Sequence, residues 1–416
     1  MKKRSVQLFL LFFMVAVVSV FSALYTNSQK SAGAGYKEDS SQTESLPDKT
    51  EPLTEPFNRT DIDANFINIC KNYSTTGMSL AVFKGQDIIY SLSYGTADKA
   101  AGIPAGIHTK YRIASISKTI TAILAMQLVS EGKLDLDADI SDYVGFKLRS
   151  PAFPETAITT RHLLTHTSGI FDSNSFENAA NTKVAPSLEV VFKSNCHTGN
   201  KPGNTYLYSN LGAGIVSGVV EAAANARFYD YAKTKLFDLL GLDAGFVRTQ
   251  IADTNNIAQI YSGGGLGCDV KNRRTQERYA NIPIGQMYLL GQGDLMISAV
   301  DLAKFGIVLA GDGTCNGIRV LPAEYVDEMN RVQFQDSAVK RGLALSITGD
   351  LVSGREMRGH PGQAYGMVAG LYYDPNDQTG IAFLTNGCSV SKNDDGIYKI
   401  NDAIVKYAYQ TFFTGN

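Results

Sequence analysis

Tryptophan is absent from this chain of 416 residues, so its 21 tyrosines and 20 phenylalanines supply all the aromatic side chains. The five cysteines are scattered without a Cys-x-x-Cys pair, which argues against a zinc or redox motif, and their odd number leaves at least one thiol without an intrachain partner. A net charge of −2 argues against a nucleic-acid-binding surface. With 44% hydrophobic and 19% charged residues, the composition is that of a globular protein that can bury a large core and form a cleft.

The N-terminus has the composition of a targeting segment. Lys2, Lys3 and Arg4 precede a run from Ser5 to Leu24 that carries no charge. A signal peptide needs roughly 7–15 apolar residues and a bilayer span about 20. Residues 1–25 are therefore predicted to be a signal peptide or a signal anchor. A lipid anchor is not expected, because no cysteine follows the run. Both alternatives predict export to the periplasm or the extracellular space, with membrane contact if the segment is not cleaved.

The chain after this segment divides by composition. Residues 26–56 are rich in Ser, Thr, Glu, Lys, Gly and Pro, which predicts a flexible linker before a folded domain of residues 57–416. Strand patterns occur towards both ends, and a helical lobe is predicted at about 135–330. The arrangement indicates an α+β fold in which one antiparallel sheet, built from both termini and flanked by helices, carries an inserted all-helical lobe.

Individual elements follow from hydrophobic periodicity and from turn residues. The predicted strands are Gly77–Lys84, Asp87–Tyr94, Gly342–Thr348, Met367–Tyr373 and Gly380–Thr385. The clearest predicted helices are Asp61–Tyr73, Ser115–Glu131, Ile215–Ala224, Phe228–Leu239, Ala299–Leu309 and a terminal helix marked by Ile397, Ile400, Ile404 and Ala408.

Ser115 and Lys118 are three residues apart at the start of a predicted helix and so share one of its faces. A lysine one turn away can hold the serine Oγ within hydrogen-bond reach and take its proton, which converts a serine into an acylating nucleophile. The same Ser-x-x-Lys spacing also occurs in residues 130–133 and 337–340. Spacing alone therefore does not identify the nucleophile.

Two other short motifs supply the partners that such a pair needs. Tyr208-Ser209-Asn210 precedes a predicted helix and combines a phenol that can carry a proton with an amide that can bind lysine or substrate. His360-Pro361-Gly362 lies before a predicted strand. Both patterns recur elsewhere in the chain, so the short motifs alone do not identify the residues of a site, and longer segments of sequence are needed.

His162 and His166 are spaced so that two imidazoles could lie on one helix face, a pattern compatible with metal binding. No glutamate follows His162, and Thr167-Ser168-Gly169 resembles a helix end. We therefore expect structural histidines, and no metal or organic cofactor is predicted.

The motifs at Ser115–Lys118, Tyr208–Asn210 and His360–Gly362, in this order, together with three longer supporting segments, resemble the serine β-lactamase and penicillin-binding-protein superfamily. They are similar to the branch of class C β-lactamases, DD-carboxypeptidases, D-aminopeptidases and related esterases. The segments are Ile158–Ile170, Gly291–Phe305 and Gly359–Pro375. The resemblance covers about residues 61–413 and implies a β-lactamase/transpeptidase-like fold and a serine hydrolase that works through an acyl-enzyme.

The resemblance implies catalytic roles for three residues. Ser115 would be the nucleophile, Lys118 its activating partner, and Tyr208 the relay that protonates the leaving group and helps to activate water. Two alternatives remain for the general base: Lys118 with a lowered pKa, or Tyr208 as a phenolate that Lys118 stabilises.

The resemblance also implies substrate-binding and supporting roles. Asn210 would support Lys118 and the substrate, and His360 and Gly362 would form the strand motif. The backbone N–H groups of Ser115 and Gln363 would form the oxyanion hole. The residue two positions before Gln363 is a proline, which is compatible with an edge strand whose open side faces the substrate.

The strand motif departs from that of class C β-lactamases, which carry Lys-Thr-Gly where this chain has His-Pro-Gly at 360–362. Lysine is a permanent cation that can hold a substrate carboxylate, whereas histidine, with a reference pKa of about 6.5, is mostly neutral at pH 7. This difference lowers the expectation of efficient β-lactam hydrolysis. A histidine at this position resembles some DD-carboxypeptidases and D-aminopeptidases, so the resemblance implies D-amino-acid peptides of the cell wall as substrates. A β-lactamase, a carboxylesterase and a low-turnover penicillin-binding sensor remain alternatives, each with a small peptide, ester or β-lactam as its partner.

Overall fold

The computed structural model describes residues 58–193, 195–273 and 276–413. The predicted signal segment (1–25) and linker (26–56) lie outside the described residues. The strands are β1 Gly77–Lys84, β2 Asp87–Asp98, β3 Ile103–Pro104, β4 Tyr111–Arg112, β5 Ile260–Ser262, β6 Gly265–Cys268, β7 Met296–Ile297, β8 Thr314–Cys315, β9 Ile318–Arg319, β10 Phe334–Gln335, β11 Lys340–Gly342, β12 Leu345–Thr348, β13 Met357–Ala364, β14 Met367–Asp374 and β15 Thr379–Thr385. The α-helices are α1 Arg59–Asn72, α2 Ser117–Ser130, α3 Ser141–Val144, α4 Thr160–Leu164, α5 Asn174–Asn181, α6 Leu188–Phe192, α7 Asn210–Ala224, α8 Phe228–Ala232, α9 Val270–Arg273, α10 Ala299–Ala310, α11 Ala323–Asn330 and α12 Lys399–Phe412.

Nine of the strands form one antiparallel sheet in the order β10-β11-β12-β13-β14-β15-β1-β2-β3. The first strands of the domain therefore pair with the last, because β1 lies beside β15. This confirms the prediction of one antiparallel sheet built from both termini. The predicted strands Gly77–Lys84 and Asp87–Tyr94 are confirmed as well, and they pair as a hairpin across Gly85-Gln86.

The central strand β1 is buried on both faces, which explains its nearly continuous apolar sequence. Met78, Leu80 and Val82 pack into a cluster with α1 and α12 on one face of the sheet. Ala81 and Phe83 pack into the larger cluster that includes α2, α7 and α10 on the other face. Helices thus cover both faces, and α2 is held against the sheet as part of the larger core.

The region between β3 and β10 contains the helices α3 to α11. The short hairpins β5–β6 and β8–β9 also lie there, which the prediction of an all-helical lobe did not include. Within the described parts of the chain, no helix is both long and apolar enough to cross a membrane.

Two predicted elements differ from the structure, and the periodicity missed one strand. The predicted strand Gly342–Thr348 is wrong, because Ala344 has a φ of +53° and the chain folds back into the hairpin β11–β12. The predicted helix Phe228–Leu239 is α-helical only to Ala232 and continues as one π-helical turn. Strand β13 was missing from the strands predicted by periodicity, because a proline and two glycines interrupt its apolar pattern, and only the family resemblance implied a strand there.

Candidate active site

Ser115 lies in a short 3-10 turn, Ala114–Ile116, that leads directly into α2. The α-helix therefore begins two residues later than predicted. Ala114 has a φ of +47°, in the left-handed region that residues other than glycine rarely adopt. This strained turn lies at the cleft, where both Ala114 and Ser115 contribute to the lining.

Gly362 on β13 lets the turn approach the sheet closely. A Cβ atom at this position would lie 2.3 Å from the carbonyl oxygen of Ile113 and 3.4 Å from the side chain of Ile116. Because the 2.3 Å contact with the Ile113 oxygen is sterically forbidden, a glycine is required where the strand passes the residues that flank the serine. The predicted supporting residue Gly362 thus positions β13 beside Ser115.

Lys118 is almost completely buried, with 1% of its surface exposed. Its Nζ lies 3.0 Å from Ser115 Oγ, 2.8 Å from Asn210 Oδ1 and 2.6 Å from the carbonyl oxygen of Gln292. Burial lowers the pKa of Lys118 to about 7. The charge of Asp172 opposes this shift. A substantial fraction of the lysine is therefore neutral at physiological pH.

Two of the oxygen atoms around Lys118 can only accept hydrogen bonds. The Gln292 carbonyl is one, and the Asn210 amide oxygen is the other, since Asn210 Nδ2 donates to a carboxylate. A neutral amine has two N–H groups and one lone pair. With both N–H groups donated to these acceptors, the lone pair of neutral Lys118 faces Ser115 Oγ and can accept its proton.

Asp172 organises the other side of this network and was missed by the sequence reasoning. Its Oδ2 accepts from Asn210 Nδ2 at 2.8 Å, and its Oδ1 accepts from Ser209 Oγ at 3.0 Å and from the Leu211 amide at 2.8 Å. The carboxylate thereby fixes the orientation of the Asn210 amide at the start of α7. The available signal was its place two residues beyond the segment Ile158–Ile170 that carries the family resemblance.

Tyr208 reaches the nucleophile from the segment before α7. Its Oη donates to Ser115 Oγ at 2.8 Å, and its ring lies 4.3 Å from the ring of His166 and 5.1 Å from Lys118 Nζ. Although 36% of Tyr208 is exposed to the cleft, the protein atoms around its hydroxyl raise its pKa to about 12. The phenol therefore stays protonated at neutral pH.

The strand β13 has an open edge beside Ser115. Its pairing with β12 ends at Gly359, whereas its pairing with β14 continues to Ala364. The amide of Val368, which lies opposite Gln363, donates to Thr385 Oγ1 on β15 at 3.1 Å. In an antiparallel pair, the amides of two directly opposed residues point either both towards each other or both away from each other. The Val368 amide points away from β13, so the Gln363 N–H points away from β14 and faces the open side. The Gln363 amide, which the resemblance implies as an oxyanion donor, thus lies on the unpaired side of the strand, as does the proline two residues before it.

His360 is buried beside the cleft, with 3% of its surface exposed. Its Nδ1 lies 2.6 Å from the carbonyl oxygen of Pro361, which fixes the tautomer with the proton on Nδ1. Burial, with smaller effects from the charges of Lys118 and Arg341, lowers the pKa of His360 to about 3. The strand motif therefore presents a neutral imidazole where a lysine would present a cation.

A buried ion pair, also missed from the sequence, supports the turn that carries Ser115. Arg112 Nε donates to Asp294 Oδ1 at 2.9 Å, and both side chains are at least nine-tenths buried. Asp294 lies in the segment Gly291–Phe305, the same segment that supplies the Gln292 carbonyl to Lys118. Nothing in the local pattern around Arg112 indicated this contact across 182 residues.

The other copies of the Ser-x-x-Lys spacing have different partners. Ser130 Oγ donates to the Gln127 carbonyl at the end of α2. Ser337 lines the same cleft as Ser115, but the lysine three residues after it, Lys340, forms an ion pair with Glu356. Only the copy at Ser115, among the described residues, joins its lysine to a tyrosine and an asparagine.

The two spaced histidines serve the backbone. His162 Nδ1 accepts from the Thr159 amide at 3.3 Å in a capping box of α4, and His166 Nδ1 accepts from the Ser209 amide at 3.2 Å. Burial lowers the pKa of both imidazoles. Within the ranges that the structure covers, no group of three or more His, Cys, Asp or Glu side chains is arranged to hold a metal ion, and the five cysteines are free thiols.

Ser115 lies in a cleft of about 1140 Å³. The cleft is lined by Ser115, Tyr208, Asn210, His360 and Gln363, so it brings together predicted site residues from three separate parts of the chain. It extends beyond them towards α5 on one side and the β10–β11 turn on the other. A volume of this size exceeds the usual range for one small ligand, roughly 300–1,000 Å³.

The beta-lactamase family model matches residues 62–403 of this chain. The chain is 26% identical over 348 residues to Penicillin-binding protein 4 of Amycolatopsis lactamdurans, covering 80% of this chain and 86% of that protein. It is 28% identical over 198 residues to Penicillin-binding protein 4* of Bacillus subtilis, covering 46% of this chain but only 42% of that longer relative. The crystal structure of a beta-lactamase/D-alanine carboxypeptidase from Pseudomonas syringae superposes with a TM-score of 0.63 at 21% identity, covering 86% of this chain and 99% of that one.

The likeness to the Pseudomonas structure shows the fold, and the family model extends over most of the described chain. The antiparallel sheet with helices on both faces is accordingly the β-lactamase/transpeptidase fold. On this evidence the chain belongs to the beta-lactamase family and is a serine hydrolase.

Proposed function

We propose that this protein is an exported hydrolase that forms an acyl-enzyme at Ser115 and acts on D-amino-acid peptides of the cell wall, as a DD-carboxypeptidase or D-aminopeptidase does. One observation carries the proposal. Ser115 Oγ lies within hydrogen-bond distance of both a lysine whose pKa is lowered to about 7 and a tyrosine that remains protonated.

In the acylation step, neutral Lys118 accepts the proton of Ser115 while Oγ attacks the substrate carbonyl carbon. The pKa of about 7 for Lys118 and of about 12 for Tyr208 favour the lysine as the base, because a phenolate is rare at neutral pH. Tyr208 then donates its proton to the departing nitrogen or oxygen and regains one from Lys118. The C–N or C–O bond breaks, and the acyl group stays on Ser115.

The oxyanion of the tetrahedral intermediate is assigned to the backbone N–H groups of Ser115 and Gln363. The open edge of β13 and the outward direction of the Gln363 amide support this assignment. Donors fixed by a strand and by a helix start need no reorganisation when negative charge develops, which makes them effective in the transition state. Deacylation follows when water, activated through Tyr208 and Lys118, attacks the ester.

The substrate class and the location are inferred from other features. The neutral His360 in place of a lysine argues for peptides over efficient β-lactam hydrolysis. The penicillin-binding proteins among the relatives support a substrate that resembles penicillin. The basic residues and apolar run at residues 1–25 support export, which would bring the site to the cell wall.

Intact-mass spectrometry of the full-length protein with a fluorescent penicillin, and separately with a p-nitrophenyl ester, tests the nucleophile. We expect one acyl adduct, mapped to Ser115, and none in Ser115→Ala. Ser337→Ala is the matched control, since this serine lies in the same cleft and begins another Ser-x-x-Lys sequence, and it should keep the adduct. Labelling that survives Ser115→Ala, or an unreactive wild type, would refute the proposal.

Turnover of a D-Ala-D-Ala peptide, a D-amino-acid amide and a cephalosporin by the same preparation ranks the substrates. A peptide or amide turned over faster than the cephalosporin agrees with the proposed class. Faster cephalosporin turnover would identify a β-lactamase instead. Export is tested separately by fractionating cells that produce the full chain and a variant that lacks residues 1–25.

A further inference from the structure

His166 contacts the chain on both sides of Tyr208. The carbonyl oxygen of His166 accepts from the Leu207 amide at 2.8 Å, and its Nδ1 accepts from the Ser209 amide at 3.2 Å. Leu207 and Ser209 are the residues directly before and after the tyrosine. The backbone on either side of Tyr208 is therefore held by one and the same residue.

The imidazole of His166 also packs against the phenol itself. The centroids of the two rings are 4.3 Å apart, the angle between their planes is 36°, and 4% of His166 is exposed. A ring contact this close limits how far the phenol can turn about its side-chain torsions. The two hydrogen bonds fix the neighbours of Tyr208, and the ring contact fixes its side chain.

The backbone of His166 has a conformation that histidine rarely adopts. Its φ is +58°, in the left-handed region, and strain of this kind persists only where the surrounding structure imposes it. Glycine would adopt the same φ without strain. A glycine would still offer its carbonyl oxygen to Leu207, but it would have no acceptor for the Ser209 amide. The need for a turn alone therefore does not account for a histidine at this position.

The imidazole accepts a hydrogen bond at Nδ1 only while the ring is neutral. Burial lowers the pKa of His166 well below its usual value. The charges of Lys118 and Arg341 and, more weakly, that of His360 act in the same direction. Because the Ser209 amide donates to Nδ1, the single ring proton lies on Nε2. The ring is therefore an acceptor at neutral pH.

We propose that His166 is a positioning residue that holds Tyr208 in the orientation needed to protonate the leaving group. This inference rests on the proposed function, in which the O–H proton of Tyr208 passes to the departing nitrogen as the C–N bond breaks. His166 itself exchanges no proton. The Oη of Tyr208 lies 2.8 Å from Ser115 Oγ, and turning the ring would change this distance. Misplacing a catalytic group by about 1 Å can cost about 100-fold in rate.

The test compares an amide substrate with the p-nitrophenyl ester of the same acyl group. The departing amine needs the proton of Tyr208, whereas p-nitrophenolate can leave without one. His166→Gly accommodates the φ of +58° but removes the imidazole. In this variant we expect kcat/KM to fall about 100-fold for the amide and less than about threefold for the ester. A residue that only stabilised the fold would affect both substrates alike.

Two further variants at the histidines serve as matched controls. Asparagine tolerates a positive φ, and its side-chain oxygen can accept from the Ser209 amide. His166→Asn should therefore recover at least about tenfold of the amide activity that His166→Gly loses, since one hydrogen bond is restored. His162 lies in the same segment but accepts from the Thr159 amide at the start of α4. His162→Asn should leave the ratio of amide to ester activity unchanged.

A double variant separates positioning from any independent effect. With Tyr208→Phe there is no phenolic proton to orient, so adding His166→Gly should lower the amide activity by no more than about threefold, because residues that act through one another are not additive. A loss that multiplies with that of Tyr208→Phe overturns the inference. Equal losses for amide and ester in His166→Gly, or full amide activity in that variant, overturn it as well.

The remaining outcomes distinguish this inference from the proposed function. If wild type turns over the ester but no amide, the positioning role is overturned while the nucleophile assignment survives. If Ser115 reacts with neither substrate, the proposed function itself is refuted. Ester turnover by His166→Gly near the wild-type rate verifies that the variant is folded. If this variant does not fold, His166→Asn in the Tyr208→Phe background decides by the same criterion of additivity.

Discussion

The carboxylate of Asp172 and the side-chain amide of Asn210 are joined by a hydrogen bond of 2.8 Å across 38 residues of sequence. This contact turns the amide so that its oxygen faces Lys118. Asp172 is also a negative charge that raises the pKa of Lys118 against the effect of burial. It therefore influences both the position and the protonation of the proposed base.

Asp172→Asn is expected to act on both properties. The new side-chain amide at position 172 has only one oxygen and must turn before it can accept from Asn210 Nδ2. We therefore expect kcat to fall about 10- to 100-fold, the effect of one hydrogen bond to a charged group. Without the negative charge the pKa of Lys118 falls further, so the rise of kcat/KM with pH should move to lower pH. A pH profile measures the shift. Asp350→Asn, at an exposed carboxylate in the same cleft, should leave the profile unchanged.

The pH dependence of wild type should report Lys118. Only the neutral amine can accept the Ser115 proton, so kcat/KM should rise about tenfold per pH unit below pH 7 and level off above it. His360, with a pKa of about 3, is neutral throughout this range and contributes no inflection. Lys118→Arg, which cannot be neutral, should lose about 10²–10⁴-fold in acylation rate. In His360→Gln we expect the inflection near pH 7 to be unchanged. If the inflection disappeared in this variant, it would belong to the histidine and not to Lys118.

Tyr208→Phe separates proton donation from nucleophilic attack. p-Nitrophenolate can leave without a proton, whereas an amine must be protonated as it leaves. The variant should therefore lose far more activity with an amide than with the p-nitrophenyl ester. For the amide we expect a loss of about 10²–10⁴-fold in acylation rate. Tyr398→Phe, elsewhere in the cleft lining, serves as the control. Equal losses for both substrates would show that Tyr208 positions Ser115 rather than relaying a proton.

Gly362→Ala should separate β13 from the turn that carries Ser115. The added methyl group would lie 2.3 Å from the Ile113 carbonyl oxygen, so one of the two segments has to move. Overpacking of this kind costs about 1–3 kcal/mol in the free energy of unfolding, and the displaced oxyanion donors should lower kcat in addition. Thermal melting and kcat measure the two effects. Gly199→Ala, where no neighbouring atom lies within 4 Å, should change neither.

The sequence could predict what is local or periodic. The Ser115–Lys118 spacing lies within one helical turn, and the apolar patterns of β1, β14 and β15 predicted the centre of the sheet. The separate motifs could be joined into one site only through the family resemblance, because spacing says nothing about contacts between residues 93 positions apart, such as Ser115 and Tyr208.

What was missed depends on the tertiary structure. Asp172 is one acidic residue among many until the fold brings it to Asn210, and Arg112 is paired only because the fold brings Asp294 to it across 182 residues. The hairpin at Ala344 was missed because alanine rarely adopts a positive φ, and the surrounding pairs impose it.

The open edge of β13 also bears on whether copies of this protein can pair through their sheets. An unpaired strand edge that can align a substrate backbone can equally pair with the edge of another molecule, which is a route to aggregation. Beyond Gly359 the outward amides belong to residues 361 and 363, and the first of these is a proline without an N–H. The exposed edge therefore offers a single outward amide, enough to hold one carbonyl oxygen but too few to sustain a ladder between molecules.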